Sequence, residues 1–177
     1  GSTITLTGVS CVSASFCEAS GSNNNGSAAF AEKWNGTAWQ HQSAPGTGGL
    51  AAVSCVSASF CEAVGTKATK TGTGPLAETW NGTAWSTQAI PAPAGASLSA
   101  ATGVSCTSAS LCEAVGTYSE NTAFSAIWNG SSWKLQTVPS PTGAVATVLS
   151  GVSCPAAGAC EATGLQESSS GSGPLAE

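Results

Sequence analysis

"SCVSASFCEAVGTKATKTGTGPLAETWNGTAW" (Ser54–Trp85) holds two signals that decide the fold: a cysteine pair spaced C-x5-C and an Asn-Gly step between two tryptophans. Close copies surround it. The chain reads "GVSCVSASFCEASG…AAFAEKWNGTAW" before it, "GVSCTSASLCEAVGT…NTAFSAIWNGSSW" after it, and "GVSCPAAGACEATG…GPLAE" at the end. The first cysteines fall at 11, 55, 106 and 154, an interval of 44 to 51 residues. That period belongs to propeller blades and to the longer helical repeats.

Helical repeats fit poorly. The units are rich in Gly, Ser, Thr and Val, and turn signals interrupt them about every ten residues, which suits short strands. Each unit divides into four: "TGVSC" or its equivalent, "FCEAVGT", "PLAETW" and "TAWSTQAI". Asn-Gly between the last two is a strong hairpin signal, because a type I′ turn needs positive φ at both central positions. Four antiparallel strands per unit predict an all-β fold, a β-propeller-like array of four blades forming one domain over residues 1–177. The units run approximately 1–45, 46–94, 95–143 and 144–177. The fourth stops at "GPLAE" (173–177), where "TWNGTAW" would follow, so the last blade is expected to lack its outer strand. Three explanations stand open: a piece of a longer propeller, a ring with an incomplete blade, or subunits that complete one another head to tail by strand addition from the segment "STITL".

The bulk composition excludes several functions. Among 177 residues there are four Lys, one His, nine Glu and no Arg, Asp or Met, for a net charge of −5. Without a cationic track the chain is not a nucleic-acid binder. No apolar run reaches the roughly 20 residues that cross a bilayer, so membrane insertion is not expected. Eight cysteines at one repeated spacing predict four local disulfides: Cys11–Cys17, Cys55–Cys61, Cys106–Cys112 and Cys154–Cys160. Such bridges place the protein in an oxidising, extracellular or cell-surface location. Metal sites normally use closer C-x2-C pairs with His, and none is expected here.

The pattern "VSC-x5-CEAVG…AE-x-WNG-x2-W" resembles a repeat of secreted or uncharacterised proteins of high-GC Gram-positive bacteria, and it spans nearly the whole chain. More distantly, the last hairpin is similar to the Asp-box turn of sialidase-like and photosystem-assembly-type propellers. "TWNGTAW" (Thr79–Trp85) has Asn for the Asp and is one residue short, and Lys33 and Ile127 stand where the motif wants Thr. The resemblance implies blade topology. It does not bring sialidase chemistry, which needs an arginine cluster that this chain lacks; Tyr118 is its one tyrosine.

The repeated residues admit two readings each. Trp34, Trp39, Trp80, Trp85, Trp128 and Trp133 are either packing residues or a stacking platform for sugars. A two-residue Asn-Gly turn would put the Trp of each pair on opposite sides of the hairpin, each in a different seam, and packing in that geometry is the favoured reading; a four-residue loop would pair them on one side. Glu18, Glu62, Glu113 and Glu161 could form a ring around a hard cation, but capping of backbone N–H groups is favoured. Asn25, Asn35, Asn81 and Asn129 sit in N-x-[ST] sequons, which could accept N-glycans, yet Asn-Gly is also what a tight turn demands. No catalytic constellation is visible, since His41 is the sole histidine and residues copied in every unit serve the repeat. No cofactor is expected. The sequence therefore points to a non-enzymatic extracellular scaffold whose partner is itself, through head-to-tail strand addition, or an extracellular protein or glycan held by the variable loops. The alternative is a carbohydrate-binding lectin using the Trp residues.

Overall fold

The computed structural model describes residues 3–94, 96, 98–119 and 121–177. Gly1 and Ser2 of the leading segment, Gly95 and Ser97 of the second Pro-rich link, and Glu120 of the third loop lie outside the described residues. Everything described is strand, turn or link. The first sheet is β1 (Thr5–Ser13), β2 (Phe16–Asn23), β3 (Ala28–Trp34) and β4 (Trp39–Gln42). The second is β5 (Gly49–Ser57), β6 (Phe60–Thr69), β7 (Gly72–Trp80) and β8 (Trp85–Gln88), and the third is β9 (Ser99–Ser108), β10 (Leu111–Tyr118), β11 (Thr122–Trp128) and β12 (Trp133–Gln136). The fourth holds β13 (Ala144–Ala156), β14 (Ala159–Ser168) and β15 (Gly171–Ala176). In each, strands lie in chain order and run antiparallel, so every unit is its own meander and the fourth has three strands among the described residues.

The sheets stack through their first strands, β1 on β5, β5 on β9 and β9 on β13. Each sheet therefore has one face toward the preceding unit and one toward the following unit. The register assigns side chains to them. Cys55, Cys61, Trp80 and Trp85 lie opposite one another in successive strands and share the preceding-facing side, whereas Ser54, Glu62, Thr79 and Ser86 share the other. The cores follow the seams: Trp80, Trp85 and Leu50 pack with Phe16, Ala29 and Ala31 of the first unit, and Trp128, Trp133 and Ala101 with Val64 and Ala77 of the second.

Loops are shorter than the sequence suggests. "GTKATKTGTG" (Gly65–Gly74) and "LQESSSGSG" (Leu165–Gly173) are mostly strand, with β6 and β7 joined at Lys70–Thr71 and β14 and β15 at Ser169–Ser170. Their polar composition hid this, because backbone pairing continues past the buried part of the sheet.

The glycine of the "CEA-x-G" motif has a steric reason. A Cβ on Gly21, Gly65, Gly116 or Gly164 would lie 2.0 Å or less from a carbonyl oxygen of the first strand, those of Thr5, Gly49, Ala100 and Val148. At these places the first strand is bulged, with register shifts at Leu6/Gly8, Leu50/Ala52 and Leu149/Gly151 and between Val115 and Gly116. A bulge brings backbone close to the facing residue, and only a residue without a side chain fits. Gly65→Ala is expected to cost about 2–3 kcal/mol, as overpacking does. Gly173→Ala, where no atom lies within 4 Å of the added carbon, is expected to be nearly neutral in the same urea titration of the oxidised protein.

Candidate functional site

The four local disulfides are present, each between neighbouring strands with Cα atoms 3.9 to 4.0 Å apart, the first three across directly opposed pairs, and no described cysteine is free. They suit an oxidising compartment. In each of the first three units the disulfide is the base of a layered structure. Trp34 Nε1 donates to the Ala14 carbonyl at 3.0 Å, Trp80 Nε1 to Ala58 at 3.1 Å and Trp128 Nε1 to Ala109 at 3.1 Å. The first Trp thus ties its own hairpin to the turn between the cysteines, and Gly36, Gly82 and Gly130 leave room for Ser15, Ser59 and Ser110 of that turn.

The Trp geometry corrects the two-residue turn. Trp34 pairs with Trp39, Trp80 with Trp85 and Trp128 with Trp133 in register, around four-residue loops closed by Asn35 N–H to the Ala38 carbonyl and its equivalents. Both rings of a pair therefore lie on one side, 5.7 to 5.8 Å apart and tilted 44° to 51°. They occupy the same seam. The physical reason is the asparagine. Asn35 Oδ1 accepts from the Thr37 N–H, the Thr37 hydroxyl and the Ala38 N–H at 2.8 to 3.0 Å, an Asx-type turn that a two-residue loop could not house. Asn81 and Asn129 repeat it with Thr83/Ala84 and Ser131/Ser132. The hydroxyl residue of the sequon is therefore a structural partner of its own asparagine at these three places. Asn25 is different: it sits exposed in a turn with φ 58°.

The glutamates are seam residues too, with partners other than those expected. Instead of backbone N–H groups, side chains face them. The Thr79 hydroxyl donates to Glu62 at 2.7 Å, the Ser125 hydroxyl to Glu113 at 2.7 Å, and the Gln42 amide to Glu18 at 3.4 Å. Flat strands offer no spare N–H groups to a side chain on the sheet face, because the ladder uses them. Trp133 Nε1 also turns toward Glu62 and favours its charged form, but falls outside regular hydrogen-bond geometry, so it and Glu62 Oε1 lack full partners. Burial pushes Glu62 up to about 8 and Glu18 up to about 7. Glu78, buried on the opposite side of its sheet beside Gly46, is pushed to about 7 by the same cause. Glu113 approaches Cys154 and Cys160, yet those sulfurs are joined in a disulfide and are not thiolate ligands.

Between the sheets runs a ladder that sequence reading missed. The hydroxyls of Ser10, Ser54 and Ser105 accept the backbone N–H of Cys55, Cys106 and Cys154 in the next unit, each at 3.0 Å. The Thr7 and Thr102 hydroxyls donate to the Leu50 and Leu149 carbonyls of the next unit at 2.6 and 2.7 Å. The signal was present in the invariance of "SC" across all four units, but it reads as strand composition until the stacking is known. At the seam of the third and fourth units, where no Trp pair stands on the fourth disulfide among the described residues, a cavity of about 470 Å³ opens between Glu113, Leu149 and Cys160.

The first unit carries the same preceding-facing residues with nothing packed on them among the described residues. Leu6 is 48% exposed where its equivalent Leu50 is 2%, and Trp39 is 44% exposed where Trp85 is 4% and Trp133 is 3%. Val9 is open where Val53 and Val104 are buried. This face, with Trp34 half-buried beside Trp39 and His41 stacked on Phe30 at 4.7 Å, is the candidate site. No family model matches the chain, and neither does any curated protein.

The seam carboxyls make stability depend on pH. Their folded pKa values lie above the ordinary 4.5, so the folded state binds protons more tightly than the unfolded chain. Their stabilisation is complete below about 4.5 and is lost as pH rises through about 7 to 8. The Tm is therefore expected to fall between pH 5 and pH 8.5, and Glu62→Gln to raise the Tm at pH 8.5 while changing it little at pH 5. A Tm that is flat or rises over this interval would contradict the assignment.

Proposed function

We propose that this chain is an extracellular, non-enzymatic interaction module, an arc of propeller-type blades whose exposed end face binds a protein. One observation carries the reading. Trp80, Trp85, Trp128 and Trp133, Leu50 and Leu149, and the Ser10, Ser54 and Ser105 hydroxyls are consumed by contacts between units, whereas Leu6, Val9 and Trp39 of the first unit stand open on the surface. An exposed apolar set of Leu6, Val9 and Trp39 on one sheet face is of the kind that marks a protein contact. The four disulfides support an extracellular setting, and the alternating sheets with short Asx-closed hairpins support the propeller-type repeat.

A glycan is the second reading, favoured by the exposed indole of Trp39. The tilt of 51° between Trp34 and Trp39 weighs against a flat two-ring platform, and the other two pairs are buried within seams. The variable loops keep a role as recognition elements only where they project, as around Asn24–Ser27.

The reading separates residues of identical sequence context by their effect on the isolated fold. Trp133→Ala is expected to destabilise by about 3–5 kcal/mol, the usual cost of removing a buried large aromatic. Trp39→Ala is expected to cost less than about 1 kcal/mol in the dilute monomer, as surface changes do. Denaturant titration at low protein concentration measures both. Equal losses would mean that the first face is not free and would end the proposal. Titration with oligosaccharides, followed by Trp fluorescence, distinguishes the glycan reading: a Trp39-dependent change would favour it.

A further inference from the structure

We infer that the occupant of the first unit's open face is the fourth unit of a second copy of this chain, stacked head to tail as one more seam. The inference rests on the reading of that face as a protein-binding surface. It comes from continuity with the three seams inside the molecule, which share one hydrogen bond at the same spacing. Each needs a hydroxyl on the leading unit at the Ser10, Ser54 and Ser105 position, and a cysteine N–H on the following unit.

The fourth unit presents the leading half of that contact unused. Ser153 is its counterpart of Ser10, Ser54 and Ser105, it is exposed, and it makes no side-chain hydrogen bond among the described residues. Ser150 stands where Thr7 and Thr102 stand, four residues before the cysteine, and it too is exposed. Glu161 is the exposed counterpart of Glu18, Glu62 and Glu113, and Leu165 adds apolar surface on the same side.

The first unit presents the following half. By the pattern of the internal seams, Ser153 Oγ would meet the Cys11 N–H of the second copy and Ser150 Oγ its Leu6 carbonyl. The Trp39 indole falls toward Glu161, as Trp133 falls toward Glu62. Leu6, Val9 and Trp39 would then be buried as Leu50, Val53 and Trp85 are.

Stacking of faces, rather than addition of a strand, follows from what the first strand already does. Thr5 and Leu6 already pair with Ser22 and Gly21 inside the first sheet, so leaving to complete another blade would cost them those pairs. The contact is heterologous, one patch on each end, so it propagates as a ring if the rotation closes and as a filament otherwise.

The test uses the oxidised 177-residue chain with two single-end variants. Val9→Glu blocks the first unit's face, and Ser153→Arg blocks the fourth unit's. By sedimentation velocity over a concentration series, the unmodified chain should run at twice the monomer mass or more, and each variant alone as monomer. An equimolar mixture of the two variants should recover a species of two chains, because each contributes the face the other lacks. Circular dichroism melts of the variants at low concentration, matching the unmodified chain, would show that loss of association is not loss of fold. A monomeric unmodified chain at high concentration, or a Ser153→Arg chain that still dimerises, would overturn the inference. The first outcome, with Trp39→Ala still neutral in the dilute monomer, would leave the open face standing and exclude only the second copy as its occupant.

Discussion

A backbone N–H on an edge strand needs an acceptor, and the order of this array depends on how that need is met at the first cysteine of each unit. β1, β5, β9 and β13 are edge strands of their sheets, with cysteine N–H groups directed away from the ladder. Stacked sheets cannot continue a ladder across their faces. A serine one residue before each cysteine supplies the acceptor instead, and reaches the N–H of the next unit at 3.0 Å in all three seams. Because there is one such hydroxyl and one such N–H per unit, the contact sets the register between units. A neutral hydrogen bond of this kind contributes only about 0.5–1.5 kcal/mol. Its weight lies in excluding other registers, since a slip would leave a partly buried N–H unpaired.

The other repeated residues act within the frame that this register sets. The disulfide joins β1-type and β2-type strands beneath the Trp pair, the first Trp clamps the turn between the cysteines, and the second reaches back to the preceding unit. Trp85 Nε1 donates to Gln42 Oε1 at 2.6 Å, and the Lys33 ammonium lies 5.9 Å from the Trp80 ring centroid, so one seam already combines a hydrogen bond with a cation–π contact. With short fourth strands of four residues, the Trp pair provides most of the apolar volume at that end of the seam. Beside Cys160, where no Trp pair stands among the described residues, the fourth disulfide lines a cavity.

The sequence was most legible where a residue type has one physical use. C-x5-C meant a cross-strand bridge, Asn-Gly meant a hairpin, and the period meant four similar units; the sheets and disulfides agree. It was least legible where a residue has several. Asn-Gly does not by itself distinguish two from four loop residues, and the deciding feature was the hydroxyl residue two positions on, which asparagine Oδ1 binds. Glutamate after cysteine suggested a backbone cap, whereas the face of a paired sheet offers only side chains. The candidate site was hidden for a different reason. "WNGTAW" in the first unit is identical to that of the second, yet Trp39 is exposed and Trp85 is not. No local pattern can carry that difference, because exposure depends on which neighbour a unit has.

Position in the array therefore does what a specialised motif does in other proteins. Because the units share seam residues, the apolar set that is buried against a neighbour in the second unit is exposed on the first. Such an end must either be covered or be tolerated as an association-prone surface. The first unit does nothing to blunt it: Leu6 and Val9 are apolar and exposed, and no lysine or proline interrupts β1. The other end is polar, with Ser150, Ser153 and Glu161 exposed. On the proposed stacking, the unlike chemistry of the first and fourth faces would favour joining in one direction over joining like to like. The scarcity of charge elsewhere on the chain leaves little long-range repulsion to oppose that approach.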